Sequence, residues 1–320
     1  MRIDDLSAPV MVTWQLTRDC DLACLHCCTD SAPGKKLANE MSKCEAMALA
    51  SQLVRDGVPY VMLVGGEPFI VPHFMEIAEH LGQGGVQLKI ETNGQTLTKE
   101  LAQSLALLPI RSFQVSLDGD TQAVYGRQRP GGSLEKAHAA CRLAVEAKLP
   151  LEITFAPSRL NIHEAEAVID RAAALGAFRF NTGLLMRLGT AAKLWDRLET
   201  TPDDAKAFLA LLERKEREMT GRLELCYKPL SVTQDLSAQM QDPPGTLLVL
   251  PDGRVKVSAA LPYICADLKK DSLGQAWDKY KQAWKREEVL SGIRDLIASP
   301  ERMGEANSWT DLPLGMVTAA

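Results

Sequence analysis

The chain reads as an α/β protein built on a parallel sheet, and three features carry that reading. Short apolar runs alternate with helical patterns from the N-terminus onward, six such strand–helix units follow one another, and each connection is long enough for a crossover helix. The strand-like runs are VMVTWQL (10–16), YVMLV (60–64), VQLKIE (86–91), SFQVSL (112–117), LEITFA (151–156) and AFRFNTG (177–183). The first helix opens at Ser42, where Glu45 three residues on completes a capping box. It runs through Ala46, Leu49, Leu53 and Val54 to a stop at Gly57. Further helices begin near Pro72, Thr98, Ser133 and His163.

Six units build either a doubly wound open sheet or an incomplete (β/α) barrel. In both, the site belongs to the loops at the carboxyl ends of the strands. The unusual motifs obey that rule: CDLACLHCC follows strand one, GGEP strand two, TNG ends strand three and LDGD ends strand four. After residue 185 the pattern changes. Residues 202–219 form a charged amphipathic helix, and LLVLPDGRVKV (247–257) is a hairpin in which Asp252-Gly253 supplies the positive φ angles of a tight turn. A last amphipathic helix is expected at roughly 272–290.

Composition narrows the class. A formal charge of −5 and a pI near 5.7 leave no electrostatic footprint for nucleic acid or an anionic membrane. The N-terminus does not read as a signal peptide, and no apolar run reaches the length of a membrane span. Eight cysteines without an export signal point to a reducing compartment, so the expected location is cytoplasmic.

Half of those cysteines lie in residues 20–28. Cys20, Cys24 and Cys27 make a C-x3-C-x2-C spacing, and three thiolates on one loop suit a cubane cluster with one iron left open. The plainer alternative is zinc, which usually takes paired C-x2-C units or a histidine to complete four ligands; His26 and Cys28 sit too close for easy tetrahedral closure. A Cys27–Cys28 redox pair is disfavoured by the strain of a vicinal disulfide.

With GGEP at 65–68, ETNG at 91–94 and SLDG at 116–119, CDLACLHC resembles the radical S-adenosylmethionine (SAM) enzymes. The match continues through VYGRQRPGGSLEKA (124–137), NIHEAEAVIDRAAALGA (161–177) and RLGTA (187–191), covering roughly residues 8 to 195. The subgroup it is most similar to is the SPASM-type maturases. The resemblance implies a partial (β/α)6 TIM-like barrel over residues 1–195, with a small C-terminal α+β extension over 196–320. It also implies reductive cleavage of SAM to a 5′-deoxyadenosyl radical that removes hydrogen from a substrate.

Residue roles follow from the same resemblance. Cys20, Cys24 and Cys27 would bind a 4Fe–4S cluster. Gly65, Gly66, Glu67 and Pro68 would approach the cosubstrate's methionine, Glu67 accepting from its ammonium; a tight turn is the alternative for the glycines. Thr92, Asn93, Ser116 and Asp118 would line the cosubstrate's site, although Asp118 has the alternative of capping the turn at Gly119. Arg127 would approach the methionine carboxylate, with Arg129 as a rival. Cys28, Cys44 and Cys141 read as packing residues.

The extension departs from the subgroup. It keeps a frame, LPDGRVKVS (250–258) and SLGQAW (272–277), but only Cys226 and Cys265 remain, too few for a second cluster. One cluster, and redox-neutral or SAM-consuming chemistry, are therefore expected. Cys265 (or Cys226) is the candidate hydrogen-atom donor of an epimerase, against the alternative of a buried apolar thiol. No cobalamin-binding or leader-binding segment is expected before residue 10, so a peptide substrate would need a separate presenting protein. The partners expected are a peptide or natural-product substrate and an electron donor such as flavodoxin or ferredoxin. The alternatives are a small-molecule or tetrapyrrole substrate, and a non-catalytic iron–sulfur or zinc scaffold.

Overall fold

The computed structural model describes residues 2–227 and 230–313. Its strands are β1 (Met11–Gln15), β2 (Tyr60–Val64), β3 (Gln87–Thr92), β4 (Ile110–Ser116), β5 (Leu151–Phe155), β6 (Arg179–Thr182), β7 (Glu224–Tyr227), β8 (Thr246–Val249), β9 (Arg254–Lys256), β10 (Tyr263–Asp267) and β11 (Thr310–Asp311). The helices are α1 (Lys43–Arg55), α2 (Phe74–Gln83), α3 (Lys99–Leu105), α4 (Gln122–Gln128), α5 (Leu134–Glu146), α6 (Ala165–Ala174), α7 (Gly189–Lys193), α8 (Trp195–Leu198), α9 (Pro202–Glu218), α10 (Val232–Gln239), α11 (Leu273–Ala283) and α12 (Glu287–Ala298).

All strands share one sheet, ordered β11-β10-β9-β8-β1-β2-β3-β4-β5-β6-β7. From β1 to β7 every neighbour is the next strand in the chain, and every pair is parallel. A doubly wound sheet reverses its order at a switch point. From β1 to β7 this one never does, so that part of the chain winds in one sense, as in a barrel. The barrel is not closed: β7 has a neighbour on one side only. The sheet also runs across residue 195 without a break, because β7 extends β6 and β8 pairs in parallel with β1.

Side chains divide cleanly between the two faces. Val12, Trp14, Val61, Leu63, Leu88, Ile90, Phe113, Val115, Ile153 and Phe180 are buried on one face. Their neighbours along each strand, Thr13, Met62, Lys89, Gln114, Glu152 and Asn181, lie on the other, the concave face of the unclosed barrel. Sheets covered on both faces carry continuous apolar strands. Here β3 alternates half-buried and buried positions along QLKIET, so the polar positions line an open interior. Helix α1 shows how local sequence seats the outer layer. Ser42 accepts from the Glu45 amide and Glu45 bonds back to the Ser42 amide, while Ala46, Leu49 and Leu53 are buried. Gly57 follows at φ +71°.

Beyond residue 195 three expectations change. Strands β8 and β9 are joined by four residues, Leu250, Pro251, Asp252 and Gly253, with the Leu250 amide donating to the Arg254 carbonyl at 2.8 Å. Only Gly253 has a positive φ, at +86°, so this is the longer loop with glycine at its left-handed position. The helix expected at 272–290 breaks at residues 284–286 into α11 and α12. Strands β7 and β10 of this region were not anticipated, and neither was helix α4 earlier in the chain, which opens two residues before VYGRQRPGG.

Candidate functional site

The cysteine loop leaves β1 and is held from both sides. Glu40 accepts from the Thr17 hydroxyl (2.9 Å) and the Arg18 amide (2.8 Å), and Asp19 accepts from the Gly34 amide (2.8 Å). From β2 the GGEP backbone runs alongside: the Gly66 amide donates to Thr17 O at 2.8 Å and the Glu67 amide to Asp19 O at 3.1 Å. A Cβ on Gly66 would lie 1.8 Å from Asp19 O, and one on Gly65 would lie 2.8 Å from Thr17 O. Neither glycine has a positive φ. They are glycines because another backbone passes through the space a side chain would fill, and the tight-turn alternative is set aside.

Glu67 is fully buried, and its carboxylate accepts from the Thr92 hydroxyl (2.8 Å), the Asn93 amide (2.8 Å) and the Phe69 amide (3.2 Å). Two of these three bonds tie it to the TNG loop. Burial pushes the carboxyl up to about 7. Pro68 is buried at the start of a single 3-10 turn, Pro68–Ile70. Asn93 donates to Asp21 at 2.6 Å and lies 3.8 Å from Cys20 Sγ. Ser116 is half-buried at the end of β4, in register with Thr154.

Asp118 does not cap the Gly119 turn. Fully buried, it accepts from the Ala156 amide (2.7 Å) and Arg129 Nε (2.6 Å), and His26 Nε2 lies 3.2 Å away. The turn is tied instead by Glu164, which accepts from the amides of Asp120 (2.7 Å) and Thr121 (3.1 Å). Of the two arginines, Arg129 and not Arg127 reaches the cysteine loop. Arg127 is exposed on α4; Arg129, just past the helix end, is buried, with Nη1 3.5 Å from Cys24 Sγ and Nη2 3.3 Å from His26 Nε2. The guanidinium that reaches the loop is thus two residues further along the chain than Arg127.

Each of the three clustered thiols has a neighbouring N–H donor: Asn93 for Cys20 (3.8 Å), Arg129 for Cys24 (3.5 Å) and the Ser31 amide for Cys27 (3.3 Å). Burial pushes Cys20 up to about 12 and Cys24 up to about 11. All-sulfur donors with hydrogen bonds aimed at the sulfurs fit an iron–sulfur cluster.

The far side of the loop rests on Gly189, whose Cβ would meet Cys27 O and Cys28 O at 2.7 Å. The Thr190 amide donates to Cys27 O (2.9 Å), and Asn307 Nδ2 to Cys28 O (3.0 Å) and Asp30 (2.9 Å). Asn307 and Glu164 carry no local signal in the sequence; only the fold brings them in. Cys44 is exposed and Cys141 buried, both away from this loop on α1 and α5.

Cys265 is a correction. It is buried on β10, donates to Val255 O at 3.5 Å, and is flanked by Lys279 and Tyr280 of α11. Ile264 is in register with concave-face Lys256, the register shifts between Ile264 and Ala266, and Cys265 belongs with Val255 and Ala266 to the hydrophobic core. Burial pushes the thiol up. It faces α11 and not the barrel interior, which favours the apolar-thiol alternative. Cys226 is exposed on β7, at the opposite end of the strand order, so the two thiols do not share a site.

Comparisons with known proteins give the family. Residues 14–172 match the radical SAM superfamily. Mycofactocin maturase MftC of Mycobacterium ulcerans is 30% identical over 309 residues, covering 95% of this chain and 80% of the relative. The AdoMet-dependent heme synthase of Methanosarcina barkeri is 28% identical over 227 residues, 70% of this chain and 63% of the relative. In structure, Streptococcus suis SuiB bound to S-adenosylmethionine superposes with a TM-score of 0.71 at 16% identity, over 92% of this chain and 69% of SuiB. Among the described residues no helix is long and apolar enough to cross a membrane. The matched span contains the cysteine loop, the glycine pair seated on it and the TNG loop stapled by Glu67, and the chain belongs to the radical SAM superfamily, with SPASM-type maturases among its relatives.

Proposed function

We propose that this protein modifies a peptide by radical chemistry, with Cys20, Cys24 and Cys27 as the ligands of one 4Fe–4S cluster. The observation that carries the reading is the interlock of loops around those thiols, since Gly66 permits contact with Asp19 O that no other residue allows, and Arg129 lies against Cys24. Cys20, Cys24 and Cys27 would hold the cluster, which would supply the one electron that reductive cleavage of SAM requires.

The chain's own residues organise the site. Glu67 locks the TNG loop to GGEP, so Asn93 stays beside Cys20. Asp118 holds Arg129 in a fixed orientation, which directs a permanent positive charge toward Cys24 and toward any carboxylate bound there. Gly65, Gly66, Pro68, Thr92 and Ser116 shape the walls in which the cosubstrate lies. Arg127 has no part in this reading, and neither has Cys265.

The peptide assignment draws on MftC and on SuiB, which has been solved bound to the precursor peptide SuiA. The heme synthase relative supports the second reading, a tetrapyrrole or other small molecule. We further infer a cytoplasmic enzyme with a redox-neutral or SAM-consuming reaction, a flavodoxin or ferredoxin donor, and a separate protein that presents the peptide. The test is 5′-deoxyadenosine formation under anaerobic reduction. Wild type forms it and Cys24→Ala does not; equal yields from both, or none from a cluster-loaded wild type, overturn the reading.

A further inference from the structure

Six residues form one row across the concave face: Lys256, Leu248, Thr13, Met62, Lys89 and Ser112, each in register with the next. The two lysines of this row differ in one respect. Lys89 lies between Glu152 (3.3 Å) and Glu91 (3.6 Å). Lys256 is only 2% exposed, yet among the described residues it has no carboxylate partner. Its ammonium donates to Ala259 O at 2.8 Å, which leaves two of three N–H donors unspent. The other buried lysine, Lys215, is matched by Glu166, Asp170 and Glu218. An unpaired buried ammonium is costly, and burial pushes this one down to about 8.

A further observation points to an occupant. Among the described residues the buried hydroxyls of Ser112 and Thr154, on the same face, have no hydrogen-bond partner. Thr13 of the row lies on β1, the strand that leads into the cysteine loop.

We propose that Lys256 is the anchor for a carboxylate of the substrate inside the unclosed barrel, with the Ser112 and Thr154 hydroxyls as neutral contacts to the same molecule. This rests on the radical-enzyme reading above. A carboxylate fits better than a phosphate: one lysine supplies one point charge, Lys89 is already neutralised, and Glu91 and Glu152 would repel a dianion.

The test uses reconstituted holoenzyme and three pools of short fluorescent peptides, random in Ala, Ser, Tyr and Val. One pool carries a single Glu and an amidated C-terminus, one carries Gln and a free C-terminal carboxylate, and one carries Gln and an amidated C-terminus. Binding is measured without reductant, so it is independent of SAM cleavage; a failure of the radical reading shows separately, as wild type forming no 5′-deoxyadenosine. Wild type is expected to retain one carboxylate pool about ten-fold better than the all-amide pool, and which pool wins identifies side chain or terminus as the source. Lys256→Met should abolish the preference while iron content and SAM affinity stay within about two-fold. Equal retention of all pools by wild type overturns the proposal, as does a preference that survives in Lys256→Met. A SAM affinity that falls about ten-fold also overturns it, by assigning the lysine to the cosubstrate's own carboxylate. Should Lys256→Met lose its cluster, Lys256→Arg decides the matter: it must keep the preference, and its loss in a cluster-loaded Arg variant contradicts a charge-based anchor.

Discussion

Two groups of buried thiols in this molecule differ in what surrounds the sulfur. Cys20 and Cys24 sit where backbone loops cross, with Asn93 and Arg129 directed at them. Cys265 sits in the extension between β10 and α11, and its sulfur donates to a carbonyl instead of receiving a hydrogen bond. Burial raises all three. Burial alone therefore does not distinguish a ligand from a packing residue; an N–H donor directed at the sulfur does. The extension keeps the sheet continuous through the β8–β1 pair, while the chemistry is concentrated at the carboxyl ends of β1 to β4.

The sharpest way to break this comparison is Gly66→Ala. The added methyl would sit 1.8 Å from Asp19 O, so the cysteine loop must move, and a displacement of about 1 Å costs on the order of 100-fold in rate. Single-turnover 5′-deoxyadenosine formation measures it; a loss under about ten-fold would mean that the loop contact does not set the geometry. Next come the two arginines. Arg129→Met should lower the rate by about ten-fold or more by removing a charge-assisted contact, whereas Arg127→Ala should leave it within about two-fold. The reverse ranking would restore Arg127 to the site.

Cys265→Ala sharpens the other side. Iron content should be unchanged, with a stability loss of about 1–2 kcal/mol from the small cavity, read by chemical denaturation. A lost iron or a lost product would return Cys265 to the chemistry. The smallest effect is a pH slope. Glu67 has its carboxyl raised from 4.5 to about 7, so the folded state holds a proton that the unfolded chain releases. This contribution to stability is complete below about pH 4.5 and is lost as pH rises through about 7. Melting temperatures between these limits should fall more steeply in wild type than in Glu67→Gln; parallel curves would refute the assignment.

The barrel was legible because β1 to β6 are short apolar runs separated by capped helices, and because GGEP, TNG and LDGD each follow a strand. Helix α4 was not, since Gly126 and Pro130 disguise a seven-residue helix whose end delivers Arg129. Strand β7 carries the charged Glu224 at a sheet edge and lacks an apolar run, and the break between α11 and α12 falls at Trp284–Arg286 with no glycine or proline to mark it. The partners of Asp118 and of the cysteine loop, Ala156, Asn307 and Gly189, lie far away in sequence, and only the closing of loops brings them together. Roles implied by the resemblance were most vulnerable where a carboxylate had two uses, as with Glu67 and Asp118.

The most direct test of the account is iron and sulfide per chain after anaerobic reconstitution, in wild type and in the Cys20/Cys24/Cys27→Ala variant. About four irons in wild type and none in the variant is the predicted result. Iron that survives in the variant would place a cluster elsewhere in the chain and contradict the assignment of these three thiols as its ligands.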